Sequence, residues 1–367
     1  MFVRELTFDG FRNLHPGRWE PSGDVNILYG DNAQGKTNVL EACWLFTGGR
    51  SFRGAKDAEM VQFDREQARL SMQFYAGHRE QEATVTIKGR RQATLNGVAL
   101  PTAAKLAGTF CGVVFSPDHL SLIKDGPEGR RRFIDAAICQ LKPGYIATLS
   151  EYQKTLAQRN AFLKQSRVQY SDTPTQAQEM LELWNYTLAV NGTKITRARQ
   201  QYVRRLAPVA REIYHGLTRG KETIHLTLDT PAGAETVEET ARHWQRLFHD
   251  SLQADLAAGF TTVGPHREDL QITIDGNPVK NYGSQGQTRS AVLALKLAEA
   301  RLLQEILDEP PVLFLDDVMS ELDLSRQDYL LNHIEGWQVF ITCCEPSPAL
   351  KNTAAKVFSV KQGVISE

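Results

Sequence analysis

Residues 25–46 read VNILYGDNAQGKTNVLEACWLF, and this stretch determines the fold class of the chain. The apolar run 25–29 predicts a buried strand, and apolar residues recur at helical spacing over 37–46. Between them lies the pattern G-x-x-x-x-G-K-T, which starts at Gly30. A glycine loop between a strand and a helix is the context in which this pattern holds the phosphates of a nucleotide. The stretch therefore predicts a P-loop ATP site in an α/β domain.

The residues of the loop have separate predicted tasks. The glycines let the backbone approach phosphate oxygens closely, and the loop N–H groups and the helix N-terminus hold the anion. Lys36 is expected to reach the β- and γ-phosphates as a catalytic residue, and the Thr37 hydroxyl is expected to ligate Mg²⁺. The nucleotide-binding residues predicted here are Gly30, Asp31, Asn32, Ala33, Gln34, Gly35, Lys36 and Thr37.

Two adjacent carboxylates supply the second half of the predicted site. Residues 310–323 read PPVLFLDDVMSELD, an apolar run that predicts a buried strand ending at Asp316 and Asp317. Asp316 is expected to hold Mg²⁺ through water. Asp317 is expected to act as the general base toward the attacking water, or else only to support the metal from its second shell of contacts. Because apolar strands rarely end in paired acids without a counter-charge, the pair supports a site for ATP and Mg²⁺.

Composition is that of an ordinary globular protein. The 367 residues are 41% hydrophobic and 23% charged, with a formal net charge of −1, so any basic surface must be local. No run approaches the roughly 18 apolar residues of a membrane-spanning helix, and no signal peptide is visible. The five cysteines form neither a zinc pattern nor a disulfide framework. We therefore expect a cytoplasmic protein with no membrane partner.

Six motifs, in order along the chain, resemble those of the RecF family. This family comprises bacterial recombination-mediator ATPases whose heads are similar to those of ABC, Rad50 and SMC proteins. The motifs are GDNAQGKTN at 30–38, SFR at 51–53, FSPDHLSLIKDGPEGRRRFID at 115–135, GPHREDL at 264–270, SQGQTRS at 284–290 and DDVMSELD at 316–323. The resemblance implies an α/β ABC-type ATPase head, with a P-loop and mixed sheets with flanking helices, plus a helical arm or lobe domain.

The resemblance also assigns the loop at 284–287 as the signature motif. In this class the signature opens a helix whose N-terminus points at ATP held by a second copy of the protein. The expected nucleotide contacts across an ATP-dependent homodimer are Ser284, Gln285, Gly286 and Gln287. The same likeness suggests that residues 320–323 form the D-loop of the dimer interface and that Arg53 acts between subunits. From the residues alone, 284–287 is also compatible with a polar turn before a helix.

The chain departs from the wider class at two positions. Thr342 or Cys343 stands where many relatives carry a switch histidine. The segment VFSPDHL at 114–120 has no glutamine in the usual Mg²⁺-sensing place, where Ser116 and Asp118 are the alternatives. Both departures predict slow hydrolysis, with a turnover well below about 1 s⁻¹. The expected activity is that of a weak, DNA-stimulated ATPase that uses hydrolysis as a switch.

The predicted ATP-binding head is assembled from both ends of the chain. We expect residues 1–126 and 261–367 to form it, and residues 127–260 to form a mostly helical arm. Within the head, the alternating pattern at 83–97 predicts two strands around a basic turn. The arm is too short, and has too few heptads, for the long coiled coil of SMC or Rad50 proteins.

A basic stripe in the arm is the predicted DNA contact. Between 194 and 219 there are seven Lys and Arg residues and one acid, Glu212. The expected contacts are Lys194, Arg197, Arg199, Arg204, Arg205 and Arg211. A solvated helix face explains such a run equally well from the residues alone, and the family resemblance favours DNA. A second basic cluster, 130–132, is compatible with a structural or an ATP-sensing role. No stacking platform or base-reading helix is visible, so we expect sequence-independent binding to duplex, gapped or junction DNA.

The resemblance finally implies a biological role. It predicts an ATP-gated dimeric clamp that works with the partner proteins RecR and RecO. The clamp would help to load RecA recombinase onto SSB-coated single strands in DNA repair, replication and the SOS response. Three alternatives remain open: a nucleotide-binding subunit of an ABC transporter, a P-loop kinase acting on a small molecule, and a non-hydrolysing SMC-like structural head.

Overall fold

A computed structural model describes residues 1–169, 174–234, 236–345, 350 and 354–367. These residues form fifteen strands: β1 Phe2–Asp9, β2 Gly17–Trp19, β3 Val25–Tyr29, β4 Ala68–Ala76, β5 Arg79–Lys88, β6 Arg90–Leu95, β7 Val98–Ala99, β8 Gly112–Phe115, β9 Ile224–Asp229, β10 Asp269–Ile274, β11 Asn277–Pro278, β12 Val312–Asp316, β13 Val339–Cys343, β14 Ala355–Lys361 and β15 Val364–Ser366. They also form ten α-helices: α1 Lys36–Trp44, α2 Ser121–Lys124, α3 Pro127–Leu141, α4 Gly144–Gln169, α5 Pro174–Leu217, α6 Val237–Asp250, α7 Leu252–Ala258, α8 Val279–Tyr282, α9 Gln285–Leu307 and α10 Leu324–His333.

Contacts divide the chain into two units at boundaries that differ from the predicted ones. The first unit comprises 1–122, 209–223 and 283–367, and the second comprises 123–208 and 224–282. Residues 261–282 join the second unit because β10 pairs antiparallel with β9 along its whole length. Residues 209–223 join the first unit because Glu212 and Glu222 bond to side chains of α9.

The layer of the first unit that carries the glycine loop is a six-stranded sheet of order β15-β14-β3-β13-β12-β8. All of its pairings are parallel except that of β15 with β14. Strands buried on both faces explain the continuous apolar runs seen in the sequence. Phe314 of β12 lies in the large core cluster on one face, and its neighbours Leu313 and Leu315 line a small cavity with Leu293 of α9 on the other.

A second six-stranded sheet of the first unit is antiparallel, with the order β2-β1-β4-β5-β6-β7. Its strands alternate buried and exposed residues, as expected for a sheet with one face in the core. Leu70 and Val85 from this sheet lie in the same core cluster as Val39 of α1 and Phe340 of β13. The strand pair predicted around a basic turn at 83–97 is confirmed as β5 and β6. The predicted fold class, an α/β ATPase head with mixed sheets and a further helical part, is confirmed.

The second unit combines a three-stranded antiparallel sheet, β11-β10-β9, with helices α3, α4, α6, α7 and α8 and with the part of α5 up to Pro208. Its GPHREDL segment makes buried ion pairs. Glu268 accepts hydrogen bonds from Arg199 Nη1 at 2.8 Å and from Thr230 Oγ1 at 2.7 Å. Asp269 forms a two-pronged pair with Arg130, at 2.6 and 2.8 Å. Of the two roles left open for the 130–132 cluster, these contacts favour the structural one for Arg130.

Candidate nucleotide site

The loop at 30–37 has the backbone geometry of a phosphate cradle, between β3 and α1. Gly30 has a φ of 149°, and a Cβ there would lie 2.3 Å from the Val360 carbonyl oxygen. Gly35 has a φ of 114°, and a Cβ there would lie 2.8 Å from Asn13 Oδ1. Both positions therefore need glycine, for conformation and for space.

Neighbouring segments hold the cradle in place. Asn13 Nδ2 donates to the Ala33 carbonyl oxygen at 3.1 Å. The Gly363 N–H donates to the Gln34 carbonyl oxygen at 2.8 Å, and the Gln362 N–H donates to Gln34 Oε1 at 2.6 Å. These contacts fix the side of the loop away from its N–H groups. Asn13 was not among the predicted site residues, because nothing local in the sequence marks it.

Lys36 lies folded over the loop. Its Nζ donates to the carbonyl oxygens of Gly30 and Asp31, the latter at 2.7 Å, and its side chain is buried. The ammonium therefore lies inside the cradle, where phosphate oxygens can replace the carbonyl acceptors. This is the place that its predicted role requires.

Thr37 and Asp316 meet although 279 residues separate them in the chain. The Thr37 hydroxyl donates to Asp316 Oδ1 at 2.8 Å, and the Thr342 hydroxyl donates to the same oxygen at 2.8 Å. Burial raises the pKa of Asp316, while the two hydroxyl donors and the charge of Arg53 lower it. A hydroxyl and a carboxylate are hard oxygen ligands of the kind that Mg²⁺ takes beside phosphates and water. The residues present therefore fit Mg²⁺ bound with a nucleotide.

Thr342, at the position where many relatives carry a switch histidine, hydrogen-bonds to both Asp316 and Asp317. Besides its bond to Asp316, its Oγ1 accepts a hydrogen bond from the Asp317 N–H at 2.9 Å. Asp317 has a φ of 52° and is half-buried. Of the two residues considered for this position, Thr342 makes these bonds, and the thiol of Cys343 is in any case a weaker hydrogen-bond donor than a hydroxyl. Thr342 is a site residue whose role the sequence did not reveal.

The SFR segment reaches the site through two of its side chains. Arg53 Nη1 donates to Asn38 Oδ1 at 2.9 Å, one residue beyond Thr37. The Ser51 hydroxyl bonds to the fully buried Glu41 of α1, which also accepts two hydrogen bonds from Arg12. Arg53 thus lies beside the nucleotide site of its own chain. Its predicted action between subunits stays a prediction.

The signature loop forms the capped N-terminus of α9. Ser284 Oγ accepts a hydrogen bond from the Gln287 N–H at 3.1 Å, and Gln287 Oε1 accepts one from the Ser284 N–H at 2.8 Å. This is a capping box. Ser284 and Gln285 are exposed. Among the described residues, no hydrogen bond joins 284–287 to the loop at 30–37 of the same chain.

Two arginines tie the signature to the predicted D-loop, and the second, Arg326, is itself paired with Asp323 of that loop. Arg289 pairs with Glu321 at 2.8 Å. Arg326 donates to the Gly286 carbonyl oxygen at 3.2 Å and to Ser290 Oγ at 2.9 Å. The two segments therefore present their exposed residues as one fixed surface of the first unit.

The predicted DNA contacts in α5 divide into exposed and buried residues. The exposed ones are Lys194, Arg204, Arg205 and Arg211. Arg197 is partly buried and donates to the Ala234 carbonyl oxygen at 2.7 Å. Arg199 is only 3% exposed and pairs with Asp135 and Glu268, so its expected contact with DNA is wrong. Its charge is neutralised by these two carboxylates within the second unit.

None of the helices in the described part of the chain is long and apolar enough to cross a membrane.

Comparisons with known proteins agree on one kind of relative. The family model described as RecF/RecN/SMC N terminal domain matches residues 2–366. The DNA replication and repair protein RecF of Acetivibrio thermocellus is 36% identical over 350 residues, covering 94% of each chain. That of Symbiobacterium thermophilum is 38% identical over 352 residues, covering 94% of this chain and 92% of its own.

Solved structures give the same result at the level of the fold. The recombination mediator protein RecF-ATPrS of the RecFOR pathway matches with a TM-score of 0.91 and 35% identity, covering 100% of this chain and 97% of its own. An Smc head bound to the C-winged helix domain of ScpA matches with a TM-score of 0.57 and 15% identity, covering 100% and 96%. The second likeness shows a shared head fold alone.

Proposed function

The chain belongs to the RecF family, and on this premise we propose that it is an ATP-dependent DNA-binding protein of DNA replication and repair. The observation that carries the proposal is the 2.8 Å bond between Thr37 and Asp316 next to the glycine cradle. The exposed, capped signature helix, which belongs to the same unit, supports it. These are the parts from which an ATP-gated dimer is built. The relatives named above are RecF proteins, which counts against the transporter and kinase alternatives.

We propose separate roles for the residues of the site in binding and hydrolysing ATP. The cradle N–H groups and Lys36 hold the phosphates, and Thr37 and Asp316 hold Mg²⁺. When bound, Mg²⁺ neutralises charge that develops on the phosphates. Asp317 accepts a proton from a water molecule at its carboxylate. Thr342 keeps Asp316 ionised by donating to it and fixes Asp317 through its N–H.

The exposed signature supports completion of the site by a second copy. Among the described residues, Ser284 and Gln285 make no hydrogen bond to the cradle of their own chain, and the helix dipole of α9 favours an anion at its N-terminus. We propose that they contact the γ-phosphate held by the partner protomer. ATP would then act as the ligand that joins two heads, and slow hydrolysis would release them.

We propose that DNA binds to the exposed basic residues of α5. This proposal also rests on the membership of the chain in the RecF family. Phosphate contacts of this kind are independent of sequence and sensitive to salt. We also propose the finer role: the ATP-bound dimer works with RecR and RecO and helps to load RecA onto SSB-coated single strands. The naming of one solved relative as a recombination mediator of the RecFOR pathway supports this role.

Light scattering with and without nucleotide tests the dimer. Molar mass is measured at one protein concentration with ATP, with ADP and without nucleotide, for wild type, Ser284→Arg and Ser284→Ala. Both substitutions remove the helix cap, but only arginine adds bulk and charge at the proposed interface. We expect wild type to form a dimer with ATP, Ser284→Ala to form it more weakly because one proposed phosphate contact is lost, and Ser284→Arg to stay monomeric. A monomer under every condition would refute the ATP-gated dimer.

A non-hydrolysing structural head is the second candidate, because Thr342 replaces the switch histidine and its hydroxyl is already engaged. Steady-state turnover of wild type and Asp317→Asn separates the two. The proposed ATPase should turn over well below about 1 s⁻¹ and should lose that activity in the variant. Equal background release of phosphate from both proteins would favour the structural head.

A further inference from the structure

Two segments of the first unit carry an unusual excess of basic residues. Residues 50–57 read RSFRGAKD and residues 88–91 read KGRR. Together they contain one acid, Asp57, and six basic residues: Arg50, Arg53, Lys56, Lys88, Arg90 and Arg91. In the sequence these are two short runs, more than thirty positions apart.

Contacts of Arg91 bring the two segments together. Its Nε pairs with Asp57 Oδ1 at 2.8 Å, and its Nη1 donates to the Gly49 carbonyl oxygen at 2.5 Å. Arg50 directly follows Gly49 in the chain, so it lies next to this contact. The turn between β5 and β6 therefore lies against the loop at 49–57 and forms one surface with it.

Most of this charge is not neutralised within the protein. Arg50, Arg53, Lys56 and Arg90 are exposed, and none has an ion-pair partner among the residues that the structure describes. Lys88 has only a 3.9 Å contact with Glu66, and both side chains are mostly exposed. Such a pair contributes little. A cluster of like charges repels itself and attracts a polyanion.

We infer that this surface, residues 50–57 with 88–91, binds the phosphate backbone of DNA. The inference rests on the DNA binding proposed above and adds a second contact region, on the ATP-binding unit. Arginine and lysine side chains on a loop and a turn suit phosphates, which carry no sequence information. No aromatic or base-reading element is needed for such contacts.

Arg53 connects this surface to the nucleotide site. Its guanidinium bonds to Asn38, and its charge acts on Asp316. A phosphate of DNA near Arg53 would therefore lie close to the groups that hold Mg²⁺. This arrangement places the DNA contact where it can affect ATP hydrolysis.

The test compares two doubly substituted proteins that lose the same charge. Lys88→Ala/Arg90→Ala removes two charges from the proposed surface. Arg4→Ala/Arg79→Ala removes two exposed charges near the opposite end of β5, about 30 Å away at ~3.3 Å per residue. Affinity for gapped duplex DNA is measured by fluorescence anisotropy with ATP at 50, 100 and 200 mM KCl. Binding of a fluorescent ATP analogue checks that each protein is folded.

Each lost phosphate contact should reduce the salt slope, the change in log affinity per log salt, by about 0.9. For Lys88→Ala/Arg90→Ala, the fall in affinity between 50 and 200 mM should then be about tenfold smaller than for wild type, with ATP-analogue binding unchanged. A slope equal to that of the Arg4/Arg79 control would overturn the inference. Wild type that shows no DNA binding would instead refute the proposed function. If the first variant fails to bind the analogue, Arg50→Ala/Lys88→Ala repeats the test.

Discussion

Replacement of Thr342 by valine would test the hydrogen-bond network that takes the place of the switch histidine. Valine keeps the branched shape but removes the hydroxyl. The carboxylate of Asp316 then loses one of its two hydroxyl donors, and the Asp317 N–H loses its acceptor. A hydrogen bond to a charged group contributes about 1.5–3 kcal/mol, and a buried unsatisfied N–H costs about 1–3 kcal/mol. Allowing for partial relaxation, we expect the free energy of unfolding to fall by about 2–4 kcal/mol.

The loss should depend on pH. Burial already raises the pKa of Asp316, and removal of the Thr342 donor raises it further. A carboxyl group with a raised folded-state pKa favours the folded state below its ordinary pKa, and this contribution is lost as pH rises through the folded value. The deficit of Thr342→Val relative to wild type should therefore be larger at pH 7 than at pH 4.

Urea unfolding, followed by tryptophan fluorescence, measures both effects. Trp44 of α1 packs edge-on against Phe314 of β12 and so lies in the affected layer. Thr342→Ser is the matched control, because it keeps the hydroxyl and loses only a methyl group. If Thr342→Val were as stable as Thr342→Ser at pH 7, the hydrogen bonds of the Thr342 hydroxyl would not stabilise the folded protein.

Three further predictions concern other parts of the chain. Arg199→Met should lower the free energy of unfolding by about 3–5 kcal/mol, since it leaves buried carboxylates unpaired; the exposed Arg204→Met, measured by the same urea unfolding, should change it by less than about 0.5 kcal/mol. ATP should slow alkylation of Cys344 by N-ethylmaleimide several-fold, as followed by mass spectrometry, because this exposed thiol lies 3.2 Å from Asn32 of the cradle; equal rates with and without ATP would contradict this. Burial lowers the pKa of His266 to about 4. A base whose pKa is lowered in the folded state favours folding at pH values above its ordinary pKa, and this contribution is lost as pH falls toward the lowered pKa. As pH falls from about 6.5 to 4, the free energy of unfolding should therefore fall by roughly 3 kcal/mol more in wild type than in His266→Asn.

Local patterns predicted the strands, the loop and the helix that carry the candidate nucleotide site. The strand at 25–29, the glycine loop and α1 follow from apolar periodicity and from the special backbone demands of Gly30 and Gly35. The apolar strand ending at Asp316 followed from the same kind of pattern. These features depend on residues that are neighbours in the chain, so the sequence alone was enough.

Charge was a poorer guide, because a sequence does not say which charged residues already have partners. Arg199 lay within a basic run but is neutralised by carboxylates of distant segments. The basic residues of 50–57 and 88–91 form no long run in the sequence. They are recognised as one charged surface only from the contacts of Arg91 with Asp57 and Gly49. Tertiary contacts decide where charge is exposed.

By itself, the sequence determined the glycine loop between strand and helix, the buried strand that ends at Asp316, and the α/β class, since each is encoded within a short segment. The tertiary structure alone decided that Thr342 bonds to Asp316 and that residues 261–282 join the second unit. These outcomes depend on strand order and on side chains brought together from distant positions. β13 lies between β3 and β12 in the sheet, which is why residues from both ends of the chain meet in one site.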